Sequence, residues 1–246
     1  MKKVLLTLLL LTLSLQAVQG KFGHALWSDI SIQKNKQNID GRFIKINPKK
    51  YINNNDCDFV LGNKGYFTTC YDKNLKSSIF SLTVLDSRSN PKGIEERPRF
   101  YNNKYLPKSA QTTYNDYTHS GYDRGHSGYA DADADYSQKS LDTSYVMSNI
   151  VPQKPITNRH SYRYIETFAR QIAKDLGSVN VLTVNVFSSH PKRIGRSGLA
   201  VPKGFGKVIW NDKNKFQQCF YLKNDNSYKL ITESEISCSK LLSGRI

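Results

Sequence analysis

The pattern of apolar and polar positions divides this chain into a leader, a set of strands and one helix. Val4 to Leu15 is nearly unbroken apolar sequence, behind Lys2 and Lys3 and ahead of Ala17-Val18-Gln19-Gly20. A short positive start, an apolar run too short to span a bilayer comfortably and a small-residue exit are the parts of a cleavable secretory leader. The reading is a signal peptide over residues 1–20 and one domain over residues 21–246, exported to the periplasm or beyond, with no membrane anchor after processing. Beyond the leader, "CDFVLGNKGYFTTC" (Cys57 to Cys70) reads as a hairpin with Asn63-Lys64 at its tip. That tip sets Leu61 opposite Tyr66, Phe59 opposite Thr68 and Cys57 opposite Cys70; a three-residue turn or bulge shifts the register by one.

"SSIFSLTVLD" (Ser77 to Asp86) has the apolar content of a core strand beside that hairpin. Ser144 to Ile150 reads as a short strand stopped by Pro152. Thr157 to Leu176 is the clearest helix: Ile165, Phe168, Ala169, Ile172, Ala173 and Leu176 recur at helical spacing, and Gly177 supplies the C-terminal cap. Val179 to Ser189, "GFGKVIW" and "QCFYLK" add further strands. The fold class is α+β, an antiparallel sheet core with one long central helix.

Charge narrows the partners. Lys plus Arg number 36 against 20 Asp plus Glu, a formal net charge of +16. Such a surplus points to a polyanion: nucleic acid, anionic lipid or acidic glycan. The four cysteines, Cys57, Cys70, Cys219 and Cys238, contain no CxxC element, which argues against structural zinc. In an oxidising compartment they form disulfides, and the hairpin favours Cys57–Cys70 and, by remainder, Cys219–Cys238 among the three possible pairings.

Candidate chemistry starts in "SGYDRGHSGYADADADYSQ" (Ser120 to Gln138), where His126 stands two residues from Arg124 with a flexible glycine between them. A histidine moves protons near neutral pH, and an arginine grips phosphate through two parallel hydrogen bonds. Asp131, Asp133 and Asp135 would share one face of a strand, but they lack the glycine and distal glutamate of a calcium loop and read as capping or solvating residues. Further along, Glu166 and Arg170 lie four apart on one helix face, away from the apolar stripe, as either a surface ion pair or a functional one. Asn158 is either a helix cap or a ligand, and Asn149 a turn residue or part of a site.

Taken together, "DRGH", "SNIVPQ" (Ser148 to Gln153), Asn158, Glu166 and Arg170 resemble the DNA/RNA non-specific endonuclease family of the ββα-metal superfamily, in the form of a secreted bacterial nuclease. The family's asparagine nine residues after the SNI asparagine, glutamate eight further on and arginine twelve further on all find counterparts. "LGNKGYFTTCYD" looks like its early hairpin and "VPKGFGKVIW" its late strand. The chain departs from the family at Ser127-Gly128-Tyr129, where a residue, alanine and proline are usual, and at Tyr162, where tryptophan is common.

The resemblance implies a ββα-metal motif and these roles: His126 general base, Asn158 the one direct metal ligand, Glu166 acting on the metal through water, Arg124 and Arg170 clamping phosphate oxygens, Asn149 positioning the network. It implies no organic cofactor and a divalent ion, Mg²⁺ first, with Mn²⁺ or another divalent ion as alternatives; Mg²⁺ suits a site of few protein oxygens because it keeps its waters. The partner is DNA, with RNA as a second candidate, and the products carry 5′-phosphates. Lys192, Arg193, Arg196, Lys203 and Lys207, with Tyr162 and Tyr164, read as a phosphate-tracking groove. The rival from another class is a secreted nucleic-acid-binding protein without turnover; a phosphodiesterase for small esters and a glycosidase fit the basic surplus less well.

Overall fold

A computed structural model of the chain describes residues 33, 39–53, 57–88 and 97–246. The expected leader, residues 1–20, lies outside them. Six strands form one sheet: β1 (Phe59–Leu61), β2 (Phe67–Asp72), β3 (Ser77–Asp86), β6 (Ser178–Val186), β9 (Gly204–Asn211) and β10 (Phe216–Lys223). They lie side by side in that order, and every neighbouring pair is antiparallel. A separate ribbon pairs β4 (Asp123–His126) with β5 (Ile150–Gln153), and a small one pairs β7 (Arg193–Ile194) with β8 (Leu199–Ala200).

The sheet is covered on both faces. The long helix (Arg163–Leu176) lays Ile165, Phe168, Ala169, Ile172 and Ala173 against Leu85, Val179, Val181, Phe205, Ile209 and Phe220. Each large side chain buried there stabilises by about 1.5–3 kcal/mol. The helix stops at Gly177, whose φ of 85° suits glycine. On the other face, Phe80, Leu182, Val208 and Trp210 meet Tyr51 and Ile52 of a short helix (Pro48–Asn53) and Leu241 of another (Cys238–Leu242). Both favoured disulfides are present, Cys57–Cys70 and Cys219–Cys238. No described helix is long and apolar enough to cross a membrane.

Three local expectations are corrected. The hairpin tip is at Asn63-Lys64, but the pairing is Leu61↔Thr69, Val60↔Cys70 and Phe59↔Tyr71, not Leu61 with Tyr66 or Phe59 with Thr68. The Asn63 amide reaches across the turn to Leu61 O, Phe67 O and Thr69 Oγ1, and fills a wider loop than a two-residue tip. Ser144 to Ile150 is not a strand. Gln138–Ser144 is a helix, Met147–Asn149 a 3₁₀ turn, and the strand is Ile150–Gln153 with Pro152 inside it. Proline is tolerated because this ribbon has only two strands, so β5 has a free edge. Finally, the expected helix begins two residues before its predicted start, at Pro155, and its stretch Thr157–Tyr162 is wound as a π-helix.

Candidate functional site

The β4–β5 ribbon, the π turn and the long helix frame one end of the molecule. In the ribbon Asp123 pairs with Gln153 and His126 with Ile150. Gly125 is dictated by proximity, not by flexibility: a Cβ there would lie 2.2 Å from Gln153 Cδ. The Gln153 amide then donates to His126 O at 3.2 Å. At the end of β4, the His126 ring meets Tyr145 edge-on at 5.2 Å and Phe100 at 6.2 Å. Its Nε2 is covered and has no hydrogen-bond partner. Burial holds the imidazole below its ordinary 6.5, while Asp131 and Asp133 pull the other way. An uncharged ring with an unclaimed nitrogen is the state in which a histidine accepts a proton.

Asn149 fixes the backbone that follows His126. Its Oδ1 accepts from the backbone N–H of Gly128 (3.2 Å) and Tyr129 (3.3 Å), and its Nδ2 donates to Tyr129 O and Ser144 O, both at 2.8 Å. With those four bonds the amide is fully used, so Asn149 positions and does not react. Gly128, at the departure from the family, packs so closely that a Cβ would lie 2.0 Å from Ser81 Cβ. Tyr162, the other departure, is buried and donates its hydroxyl to Ser127 O, tying the helix to the end of β4.

Asn158 does not cap the helix. Its Nδ2 donates to Asp123 Oδ2 at 3.0 Å, and Asp123 also takes Arg159 Nε and Nη2 at 2.8 Å each. With the amide nitrogen held, the amide oxygen is the end available to a hard cation. Arg124 stacks its guanidinium 3.8 Å over Tyr114 and donates to that hydroxyl at 3.1 Å; Phe100 lies between it and His126, 5.8 Å from the guanidinium.

Glu166 and Arg170 are not a surface ion pair. Arg170 Nη1 donates to Asp133 Oδ1 at 2.8 Å, with side-chain exposures of 13% and 4%. Glu166 faces Lys207, itself 3% exposed, whose Nζ donates to Thr183 Oγ1 and lies 4.7 Å over the Tyr162 ring. Burial drives the Glu166 carboxyl up and the Lys207 ammonium down, and each charge partly restores the other. The alternating aspartates are therefore not a solvated cap. Asp131–Ala134 is a short helix, Asp133 and Asp135 are buried, and Arg97 reaches Asp131 and Asp135 at 3.4 Å each.

The expected groove is only partly assembled. Tyr162, Tyr164 and Lys207 are buried, and Arg193 is spent on Asn74 O and Gly198 O. Lys192, Arg196 and Lys203 remain at the surface. Sequence reasoning gave three residues no part in the site, Asp123, Asp133 and Asn224, and placed Lys207 in a surface groove and not in the interior. Asp123 was signalled by its place in the four-letter motif. Asn224 has no local signal: its Oδ1 accepts from Lys154 N, and its Nδ2 donates to Pro152 O and Pro202 O, all within 2.9 Å, locking the link from β5 to Asn158.

The donor set suits a hard divalent cation held by few protein atoms: the Asn158 oxygen, with Glu166, about two helical turns further on, as a half-buried carboxyl. Among the described residues no three His, Cys, Asp or Glu side chains gather to hold a metal.

The model of the DNA/RNA non-specific endonuclease family matches residues 48–241. The chain is 28% identical over 166 residues to the mitochondrial nuclease 1 of Schizosaccharomyces pombe (62% of this chain, 51% of that protein). It is 28% identical over 160 residues to mitochondrial endonuclease G of Homo sapiens (61% and 54%), and 33% over 137 to nuclease C1 of Cunninghamella echinulata var. echinulata (51% and 54%). It thus spans about half the length of the curated relatives it matches. A chain of the crystallised EndoG/EndoGI complex superposes with a TM-score of 0.65 at 23% identity, covering 71% of this chain and 79% of its own, and shares the fold.

Proposed function

The chain belongs to the DNA/RNA non-specific endonuclease family, and on that footing we propose that it is an exported endonuclease hydrolysing phosphodiester bonds of DNA, and of RNA as a second substrate, to 5′-phosphate products. Members of the family use a divalent metal. The observation that supports this reading most is a half-buried imidazole with a covered, unclaimed Nε2, on the same strand as the aspartate that holds the Asn158 amide by its nitrogen. The expected start of the exported chain is Lys21.

His126 accepts the proton of the attacking water, a role worth about 10²–10⁴-fold. Asn158 would hold the metal, Mg²⁺ first, through its amide oxygen, and Glu166 would orient water around it. The bound metal would supply charge neutralisation at the phosphoryl oxygens and acidify the water that protonates the leaving oxygen. Arg124, aligned by Tyr114, and Arg170, held by Asp133, would each take a phosphate oxygen. Asp123, Asn149 and Asn224 keep these groups in register.

Purified residues 21–246 should nick plasmid DNA with Mg²⁺ and fall to background in excess EDTA, with recovery on adding metal back. Undiminished cutting in EDTA removes the metal-dependent reading; tight DNA binding with no cutting under any divalent ion replaces the enzyme with a binding protein. The pH profile follows from His126. Burial holds its folded pKa below the ordinary 6.5, so the neutral base predominates there and is lost as pH falls further. The acid limb of kcat/KM should therefore lie below 6.5; a limb above 6.5 would assign the base elsewhere.

A further inference from the structure

Tyr122 and Lys154 leave the ribbon side by side, because Tyr122 precedes Asp123, Lys154 follows Gln153, and Asp123 pairs with Gln153. Lys154 Nζ lies 4.3 Å from the centroid of the Tyr122 ring, and Lys192, from the loop after β6, brings a second Nζ to 5.4 Å. Neither lysine makes an ion pair among the described residues. The adjoining carboxylate, Asp123, is already committed to Asn158 and Arg159. Two ammonium groups gathered at one ring without a counter-charge repel each other, and an anion within reach of both turns that repulsion into attraction.

We propose that Tyr122, Lys154 and Lys192 form a phosphate site for a nucleotide flanking the scissile bond. This rests on the endonuclease reading and extends it along the strand. Tyr122 is next to the aspartate that fixes Asn158, and Lys154 O accepts the Asn158 N–H at 2.8 Å, so an anion held here would lie close to a phosphate at the expected metal ligand. The ligand class is the phosphodiester backbone of a polynucleotide, gripped by charge and not read by base, as a non-specific enzyme requires.

The test is binding of a short single-stranded oligodeoxynucleotide across a salt series. It compares His126→Ala protein, the same protein with Lys154→Ala and Lys192→Ala, and a control carrying Lys213→Ala and Lys215→Ala. Lys213 and Lys215 lie at the turn joining β9 to β10, the opposite end of that ribbon from Gly204 and Lys223, and so away from Asn224 and Lys154. In the first triple variant the salt slope should become shallower by about 0.7 for each phosphate it no longer neutralises, with the control unchanged. Lys154 is half-buried and Lys192 exposed, so an unaltered melting curve is expected and shows that the fold survives. An unchanged slope, or an equal change in the control, overturns the site. Plasmid nicking by wild type, scored separately, reports on the parent reading: a shallower slope with no cutting keeps the phosphate site and removes the enzyme.

Discussion

Replacing His126 by alanine should lower plasmid nicking by about 10²–10⁴-fold at saturating metal while DNA affinity stays nearly unchanged. The imidazole contributes no charge near neutral pH, because burial keeps its pKa down, so its loss removes little attraction for phosphate. It does remove the group whose Nε2 is unclaimed. The ring also fills the space beside Tyr145 and Phe100, so a second variant, His126→Asn, guards against a local collapse. Both variants should show the same deep loss in kcat. A fall confined to KM would mean that His126 grips substrate and that another group takes the proton.

Asp133→Asn should be the most destabilising single change at the site. Arg170 is taken out of water, and burial by itself disfavours its charge; Asp133, which also accepts its hydrogen bond, together with Glu166 and Asp131 more than offsets that cost. Removing one partner of such a pair leaves an uncompensated buried charge, at about 3–5 kcal/mol. For a chain of this size each kcal/mol shifts Tm by about 2–4 °C, so a drop on the order of 10 °C is expected. The double variant Asp133→Leu/Arg170→Met should regain most of that loss and remain inactive, which separates holding the fold from serving the reaction. A Tm within about 2 °C of wild type would return the aspartates to the solvated role their sequence suggested.

The contrast between His126 and Asp133 shows what the sequence could and could not say. The helix was legible because its apolar residues repeat at its own period and Gly177 ends it. The candidate positions were legible through fixed spacings, since Asp123 and His126 lie on β4, Asn149 immediately before β5 and Asn158 near the start of the helix, although the strand after β4 was placed too early. Asp133 was misread because its partner is 37 residues away on another helix, and local alternation carries no trace of that. The hairpin register was missed because one side chain, Asn63, satisfies both sides of the turn. Lys207 looked like groove lining because a lysine inside a strand pattern defaults to the surface, whereas here Glu166, Thr183 and Tyr162 make an interior place for it. Asn224 was silent for the opposite reason: its three bonds are all to backbone atoms, and any sequence supplies those.

Asn224 also sets an order of events. As the chain is made from its first residue to its last, His126, Asn158 and Arg170 all emerge before the residue that fixes the connection bearing Asn158. Asn224 moreover lies inside the interval closed by Cys219–Cys238, 19 residues apart in sequence. The proposed reacting groups are thus made while their frame is still missing, and the disulfide that spans Asn224 forms only where thiols are oxidised. Timing of synthesis and redox surroundings converge on one short stretch of chain.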